Sequence, residues 1–167
     1  SWGLSDSGGS GAPTDKGYVT IYSGGVTFAA MKADGSVFSW GKYSSGTPRD
    51  NRYVAVYSTQ GAFAAMKADG SITAWGNSGD GGSGAPTGKG FVAVYSTYLA
   101  FAARKADGSL FAWGYSGYGG SGAPTEKGFV AVYAAYHAFA ARKADGSLVA
   151  WGLSGYGGSG APTDKGF

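Results

Sequence analysis

The 167-residue sequence contains no cysteine. That excludes disulfides, Cys-ligated zinc and a thiol nucleophile, and it removes redox chemistry as a guide to compartment. Charge is also scarce: 14% of residues are charged and the formal net charge is +3, too small to imply a polyanion, so nucleic acid is not an expected partner. No apolar run approaches the ~20 residues that a membrane helix needs, and no membrane insertion is expected. The opening Ser1-Trp2-Gly3-Leu4 lacks the basic and apolar regions of a signal peptide, and no feature assigns a localisation. What the chain does have is 33 glycines together with 43% hydrophobic and 16% aromatic residues. The glycine alone suits a flexible low-complexity chain, whereas the apolar content supplies enough surface for a folded one.

Internal repetition organises these residues. Trp-Gly recurs at Trp2, Trp40, Trp75, Trp113 and Trp151, with spacings of 38, 35, 38 and 38 residues. The short spacing comes from a trimmed loop, Lys42 to Arg52, which replaces the Gly-Ser-Gly-Ala-Pro-Thr stretch of the other copies. In the fourth unit Phe129-Val-Ala-Val-Tyr133 leads to Ala138-Phe-Ala-Ala-Arg-Lys143, then to an Asp-Gly turn, then to Leu148-Val-Ala-Trp151. Three strands per unit are predicted. The pairs Asp34-Gly35, Asp69-Gly70, Asp107-Gly108 and Asp145-Gly146 suit two-residue type I′ hairpins between strands two and three. Alternation along strand one sets Val130 and Val132 on one face and Phe129, Ala131 and Tyr133 on the other. The alanine-rich second strand, seven residues between turn signals, is too short for an independent helix and small enough for sheets to approach closely.

Three-stranded units of this size cannot bury both faces alone, so neighbours must stack. The expectation is an all-β, β-propeller-like array of four three-stranded antiparallel units. These cover about 18–41, 53–76, 91–114 and 129–152 of a single repeat domain spanning 1–167, with partial units at both ends. Five Trp-Gly pairs against four complete units, and a fifth first strand expected to start at Phe167, point to an open arc or an excerpt of a longer repeat protein. Exposed edges then offer pairing with another chain.

The repeats resemble those of the regulator of chromosome condensation family, whose blades run Trp-Gly-x-Asn-x-x-Gly-Gln-Leu-Gly, then Val-x-x-Gly-x-x-His-Thr-x-Ala-Leu, then Asp-Gly. Trp113-Gly114-Tyr-Ser116-Gly-Tyr-Gly119-Gly120-Ser121-Gly122 keeps the tryptophan and three glycines. Val132 to Ala141 keeps the histidine as His137, and Asp145-Gly146 keeps the hairpin. The family histidine becomes Val26, Gly61 and Leu99 in the other units. The compact blades also look like those of bacterial propeller proteins in this superfamily that inhibit β-lactamases. The resemblance implies a β-propeller used as a platform for protein partners, and its diverse members show that the fold does not fix the task.

Little in the chain suits catalysis, because a repeat distributes identical groups around an array instead of gathering a nucleophile and base at one site. No enzyme activity and no cofactor are expected. The aspartates of the Asp-Gly pairs read as turn formers, and His137 as a surface loop residue without an apparent partner. Gly79 to Gly84 faintly resembles glycine- and aspartate-rich calcium repeats, but Asp80 becomes Ser7, Tyr118 and Tyr156 in the other copies, which denies a calcium ion its charged ligands. The glycine-rich loops read as flexible connections. Lys32, Lys67, Arg104-Lys105 and Arg142-Lys143 recur at equivalent positions and would form a weak basic stripe or solvated strand ends.

The units differ most in the linker between strands one and two, and loops on a rigid array are natural recognition sites. Gln60, Tyr98, Leu99, Tyr136 and His137 are therefore the first candidates for partner binding, with Tyr43, Tyr115 and Tyr118 as a second set. The function expected is a non-catalytic protein-protein interaction or structural assembly scaffold. A glycan- or small-ligand-binding repeat is the alternative, and a nucleotide-exchange-type activity is a third reading that rests on the resemblance alone.

Overall fold

The computed structural model describes residues 3–162. They form four three-stranded antiparallel sheets, each a simple meander. Unit 1 comprises β1 (Tyr18–Ser23), β2 (Thr27–Lys32) and β3 (Val37–Gly41), and unit 2 comprises β4 (Tyr53–Ser58), β5 (Ala62–Lys67) and β6 (Ile72–Gly76). Unit 3 comprises β7 (Phe91–Ser96), β8 (Ala100–Lys105) and β9 (Leu110–Gly114), and unit 4 comprises β10 (Phe129–Ala134), β11 (Ala138–Lys143) and β12 (Leu148–Gly152). Trp2 and the fifth first strand anticipated at Phe167 lie outside the described residues.

The alanine-rich segments are middle strands, and their composition explains how the sheets stack. Alternation sends Ala100 and Ala102 of β8 toward unit 4, where they meet Phe129, Val132, Phe139, Ala141 and Trp151. Phe101 and Ala103 of the same strand turn the other way, toward Ala62 and Ala64 of unit 2. All four residues from Ala100 to Ala103 are buried, so both faces of the sheet are core. Each interface thus sets a face of small alanines against an aromatic face, and each aromatic face holds a stacked pair such as Phe101 and Trp113, 5.2 Å between centroids. Such pairs contribute ~0.5–1.5 kcal/mol beyond the area they bury.

The first strand departs from simple alternation. In every unit the register slips after its first residue: Phe91 faces Lys105, and the next paired residue, Ala93, faces Arg104. This β-bulge leaves Val92 unpaired and exposed, and rotates the strand so that Phe91 and Val94, three apart, share the face toward unit 2. The predicted grouping of Val130 with Val132 is corrected for the same reason: Val130 is exposed, while Phe129 and Val132 are buried together.

The Asp-Gly turns are also corrected in type. Gly108 N donates to Lys105 O (3.0 Å), and Lys105 N donates to Ser109 O (3.0 Å), which encloses the three residues Ala106, Asp107 and Gly108. Gly108 alone has positive φ, +78°, so the turn is a three-residue loop with a glycine bulge and not a two-residue type I′ turn. Asp107 keeps negative φ because its carboxylate, accepting from Ser109 N (3.0 Å) and Ser109 Oγ (2.6 Å), locks the loop locally. The same pattern repeats at Asp34, Asp69 and Asp145.

The glycine-rich loops are built structure. After every Trp-Gly except Trp40-Gly41, which leads into the trimmed loop, the chain makes a short 3-10 turn, at Ser5–Ser7, Ser78–Asp80, Ser116–Tyr118 and Ser154–Tyr156. Gly81 and Gly119 then lie against the rings of Phe101 and Phe139, where a Cβ would come within 2.6 Å. Their carbonyls accept from the indole Nε1 of Trp113 (3.0 Å) and Trp151 (3.1 Å) in the next unit. Where the loop is trimmed, Ser39 Oγ on β3 takes over as acceptor for Trp75 Nε1 (3.2 Å). The tryptophans are therefore inter-unit packing residues: Trp40, Trp113 and Trp151 tie their sheets to the loop that precedes each, and Trp75 ties its sheet to β3 itself.

Two further sets of backbone hydrogen bonds join consecutive units. At one end of the array Gly25 N donates to Gln60 O (2.6 Å), Gln60 N to Tyr98 O (2.8 Å) and Tyr98 N to Tyr136 O (3.0 Å). At the opposite end the Asp-Gly turns accept from the start of the following first strand, as in Phe129 N to Gly108 O (3.3 Å). Among the described residues no hydrogen bond joins unit 4 back to unit 1, so the array is open.

Candidate functional site

The end of the array bearing the strand-one-to-strand-two linkers gathers most of the candidate residues. The backbone ladder through Gln60, Tyr98 and Tyr136 sets successive linkers side by side, and the Tyr98 and Tyr136 rings stack at 4.4 Å. Buried Thr97 holds the adjoining 3-10 turn in place: its Oγ1 donates to Tyr118 O (3.0 Å) and accepts from Ala100 N (3.1 Å). Tyr115 N donates to Leu99 O (3.0 Å), which closes the same turn onto the linker.

Tyr118 is thereby delivered to the seam between units 3 and 4. Its ring lies 6.4 Å from Tyr98, 5.4 Å from Tyr115 and 4.3 Å from His137. His137 sits among three rings, edge-on to Tyr118, to Tyr136 (4.5 Å) and to Tyr156 (4.5 Å). It is partly buried, and its Nδ1 is enclosed without a hydrogen-bond partner among the described residues. The expectation of a surface loop histidine without a partner is corrected: the loops that follow units 3 and 4 bring Tyr118 and Tyr156 onto it beside the adjacent Tyr136. Tyr136, Tyr115 and Tyr156 remain more than half or about half exposed, at 57, 50 and 62%. Desolvation by its neighbours, and next the Tyr98 hydroxyl, raise the Tyr136 phenol above its ordinary pKa.

Sequence reasoning missed Tyr156. The signal was present, because Ser154-Gly-Tyr156-Gly-Gly repeats Ser116-Gly-Tyr118-Gly-Gly and so predicts an equivalent ring. Tyr43 and Gln60 lie elsewhere, at the seam of units 1 and 2. Tyr43 packs against the position of Gly61, with Lys42 Nζ 5.2 Å from its ring centre, while Gln60 covers Gly25. The third residue at that seam is Asp80, whose carboxylate also faces Gly61. Burial raises the Asp80 pKa, partly offset by Asn77 Nδ2 donating to Oδ2 (3.2 Å). The two seams therefore differ in kind: polar and glycine-lined between units 1 and 2, aromatic between units 3 and 4.

The basic stripe is neutralised at three of its positions. Lys32 pairs with Asp15 (2.5 Å), Lys67 with Asp50, and Lys143 with Glu126 (2.7 Å), each ammonium lying over an aromatic ring. Among the described residues no group of three or more His, Asp or Glu side chains is placed to hold a metal ion, and no helix is long and apolar enough to cross a membrane.

No protein-family model matches the chain, and no curated protein matches it. Solved structures do. The ectodomain of the receptor kinase CR4 from Physcomitrella patens superposes with a TM-score of 0.65 at 21% identity, over 93% of this chain and 45% of that one. The CRINKLY WD40 ectodomain of the Arabidopsis thaliana receptor kinase ACR4 gives 0.64 at 23% identity, over 90 and 54%. Prp20p from Saccharomyces cerevisiae gives 0.57 at 17% identity, over 92 and 50%. The chain spans about half the length of each. At these identities the likeness is one of fold, and together with the four stacked sheets it identifies an open β-propeller-like array.

Proposed function

We propose that this chain is a non-catalytic interaction scaffold, related to the regulator of chromosome condensation repeats, that docks a protein partner on the aromatic end of units 3 and 4. The single observation carrying this reading is the cluster of Tyr98, Tyr115, Tyr118, Tyr136, His137 and Tyr156. It presents half-exposed rings on a frame fixed by the Gln60-Tyr98-Tyr136 ladder. Tyrosine offers a large contact area at low entropic cost, and pre-ordered rings lose little freedom on binding. Among proteins of like fold, Prp20p is described with binding to Gsp1p and histones, and also bound to Kap60, which supports a protein partner in general terms. Pairing of Lys32, Lys67 and Lys143 with carboxylates weighs against a nucleic-acid partner.

Affinity capture from a native extract, with the unaltered chain and with Tyr98→Ala/Tyr136→Ala, tests the reading. A stoichiometric partner retained by the first and lost by the second is expected. Equal capture by both, with the fold intact, would remove the aromatic end from the proposal. A glycan-binding reading has one specific support, the exposed rings of Tyr115, Tyr136 and Tyr156, which offer the faces on which sugars stack. Saturable binding of an oligosaccharide with no captured protein would favour it.

A further inference from the structure

The opposite end of the array breaks its own pattern in one place. In units 1, 2 and 4 a lysine at the end of the middle strand lies over the first aromatic residue of the neighbouring strand, with its ammonium 5.0, 5.0 and 5.1 Å from the ring centre. A carboxylate seventeen residues earlier caps each one: Asp15 on Lys32, Asp50 on Lys67, Glu126 on Lys143. Unit 3 keeps the lysine in the same posture, Lys105 over Phe91 at 4.9 Å, but the residue in the carboxylate's place is Gly88. No described acidic residue pairs with Lys105. The space beside Gly88 where a side chain would start is open, with nothing within 4 Å. A cavity of about 400 Å³ lies here, walled by Pro86, Thr87, Phe91, Lys105, Leu110 and Phe111.

We infer that this cavity binds a carboxylate carried on an aromatic or aliphatic body. The charge comes from the pattern: in three copies of the same lysine-over-ring device a carboxylate occupies the position, and in unit 3 a bound ligand supplies it. A partly buried ammonium without a counter-ion gains from a charge-assisted hydrogen bond. The body of the ligand follows from the walls, where Phe91, Phe111, Leu110 and Pro86 offer apolar surface and the Thr87 hydroxyl one further polar group. Two sources carry this chemistry, a free aryl or alkyl carboxylic acid and an acidic residue flanked by an apolar one in a peptide. The site lies at the other end of the sheets from the tyrosine cluster, so it is independent of the function proposed above.

Titration of the ¹⁵N-labelled chain with 3-phenylpropanoate and with N-acetyl-Glu-Phe-amide, followed by amide shifts, tests the inference. Both are expected to move the amides of Gly88, Lys105 and Leu110 saturably while leaving those of Tyr98 and Tyr136 in place. The neutral 3-phenylpropanamide should bind at least tenfold more weakly. Gly88→Glu gives residues 84–91 the sequence of residues 122–129, whose glutamate caps its lysine; the loop must first leave the positive φ of Gly88, +102°, and once it does this variant should lose at least tenfold in affinity by filling the site from within. Lys105→Met should lose as much by removing the charge, and it keeps the test valid should the first variant fold poorly. Tighter binding of the peptide assigns the ligand to a protein, and tighter binding of the free acid assigns it to a small molecule. Absence of saturable shifts with either probe, equal binding of the amide, or unchanged affinity in both variants would overturn the inference.

Discussion

A single hydroxyl organises the linkers of units 2 and 3, from Thr59 and Thr97. Thr97 Oγ1 satisfies both Ala100 N and Tyr118 O while buried, so Thr97→Val keeps the shape and strands two polar groups. The expected loss is ~1–3 kcal/mol of stability by urea unfolding, with weakened contact between Tyr118 and His137 visible in ring-proton shifts. Unchanged stability would show the hydroxyl idle. Asp80 acts in the opposite sense. Its folded pKa is raised, chiefly by burial, so its contribution is fully present below its unfolded value, 3.8, and is lost as pH rises through the folded pKa. Asp80→Asn retains an oxygen for Asn77 and removes the charge. The Tm should therefore rise at pH 7 and change little at pH 3, and equal effects at both would contradict the assignment.

At the scale of the element, the Asp-Gly loops show which part of a turn sequence can be read and which part is decided by packing. The dipeptide located all four turns. Their type escaped prediction because the Asp107 carboxylate bonds to Ser109 and holds the backbone in a conformation that a two-residue turn does not use. Gly108 must adopt φ +78°, and a Cβ there would stand 2.4 Å from Phe129 N, so Gly108→Ala is expected to cost about 2 kcal/mol or more. A negligible change in the denaturation midpoint would show that the loop relaxes freely. The bulge after Phe91 was hidden for a different reason. Phe-Val-Ala-Val-Tyr is apolar at every position, and only the approach of unit 2 selects Phe91 and Val94 for burial. The candidate site was partly legible in the same way. Linker variation pointed to Tyr98, Tyr136 and His137, whereas the meeting of Tyr118 and Tyr156 around His137 depends on which units are adjacent in space.

For the whole molecule the decisive feature is that no sheet has a core of its own. Phe101 is fully buried only because Ala62 and Ala64 of the preceding sheet cover it, and Ala102 only because the following sheet covers it. Phe101→Ala should accordingly cost ~3–5 kcal/mol and lower the stability of units 2 and 3 together. The carboxylates at the turn end add a pH limit. Asp34, Asp50, Asp69 and Asp107 are all held below the usual range, mainly by hydrogen bonds from serine or lysine. Stability that is present above about pH 4 should therefore decline as these groups protonate at lower pH.

Native-state hydrogen exchange at the amides of Gln60 and Tyr98 tests most directly whether the sheets depend on one another. These two N–H groups are bonded only across units, to Tyr98 O and Tyr136 O. If neighbouring sheets stand or fall together, both amides will exchange with the protection of middle-strand amides such as Ala64 and Ala102. Exchange at the rate of open turns, with the middle strands still protected, would mean that each sheet is stable alone and would contradict the account.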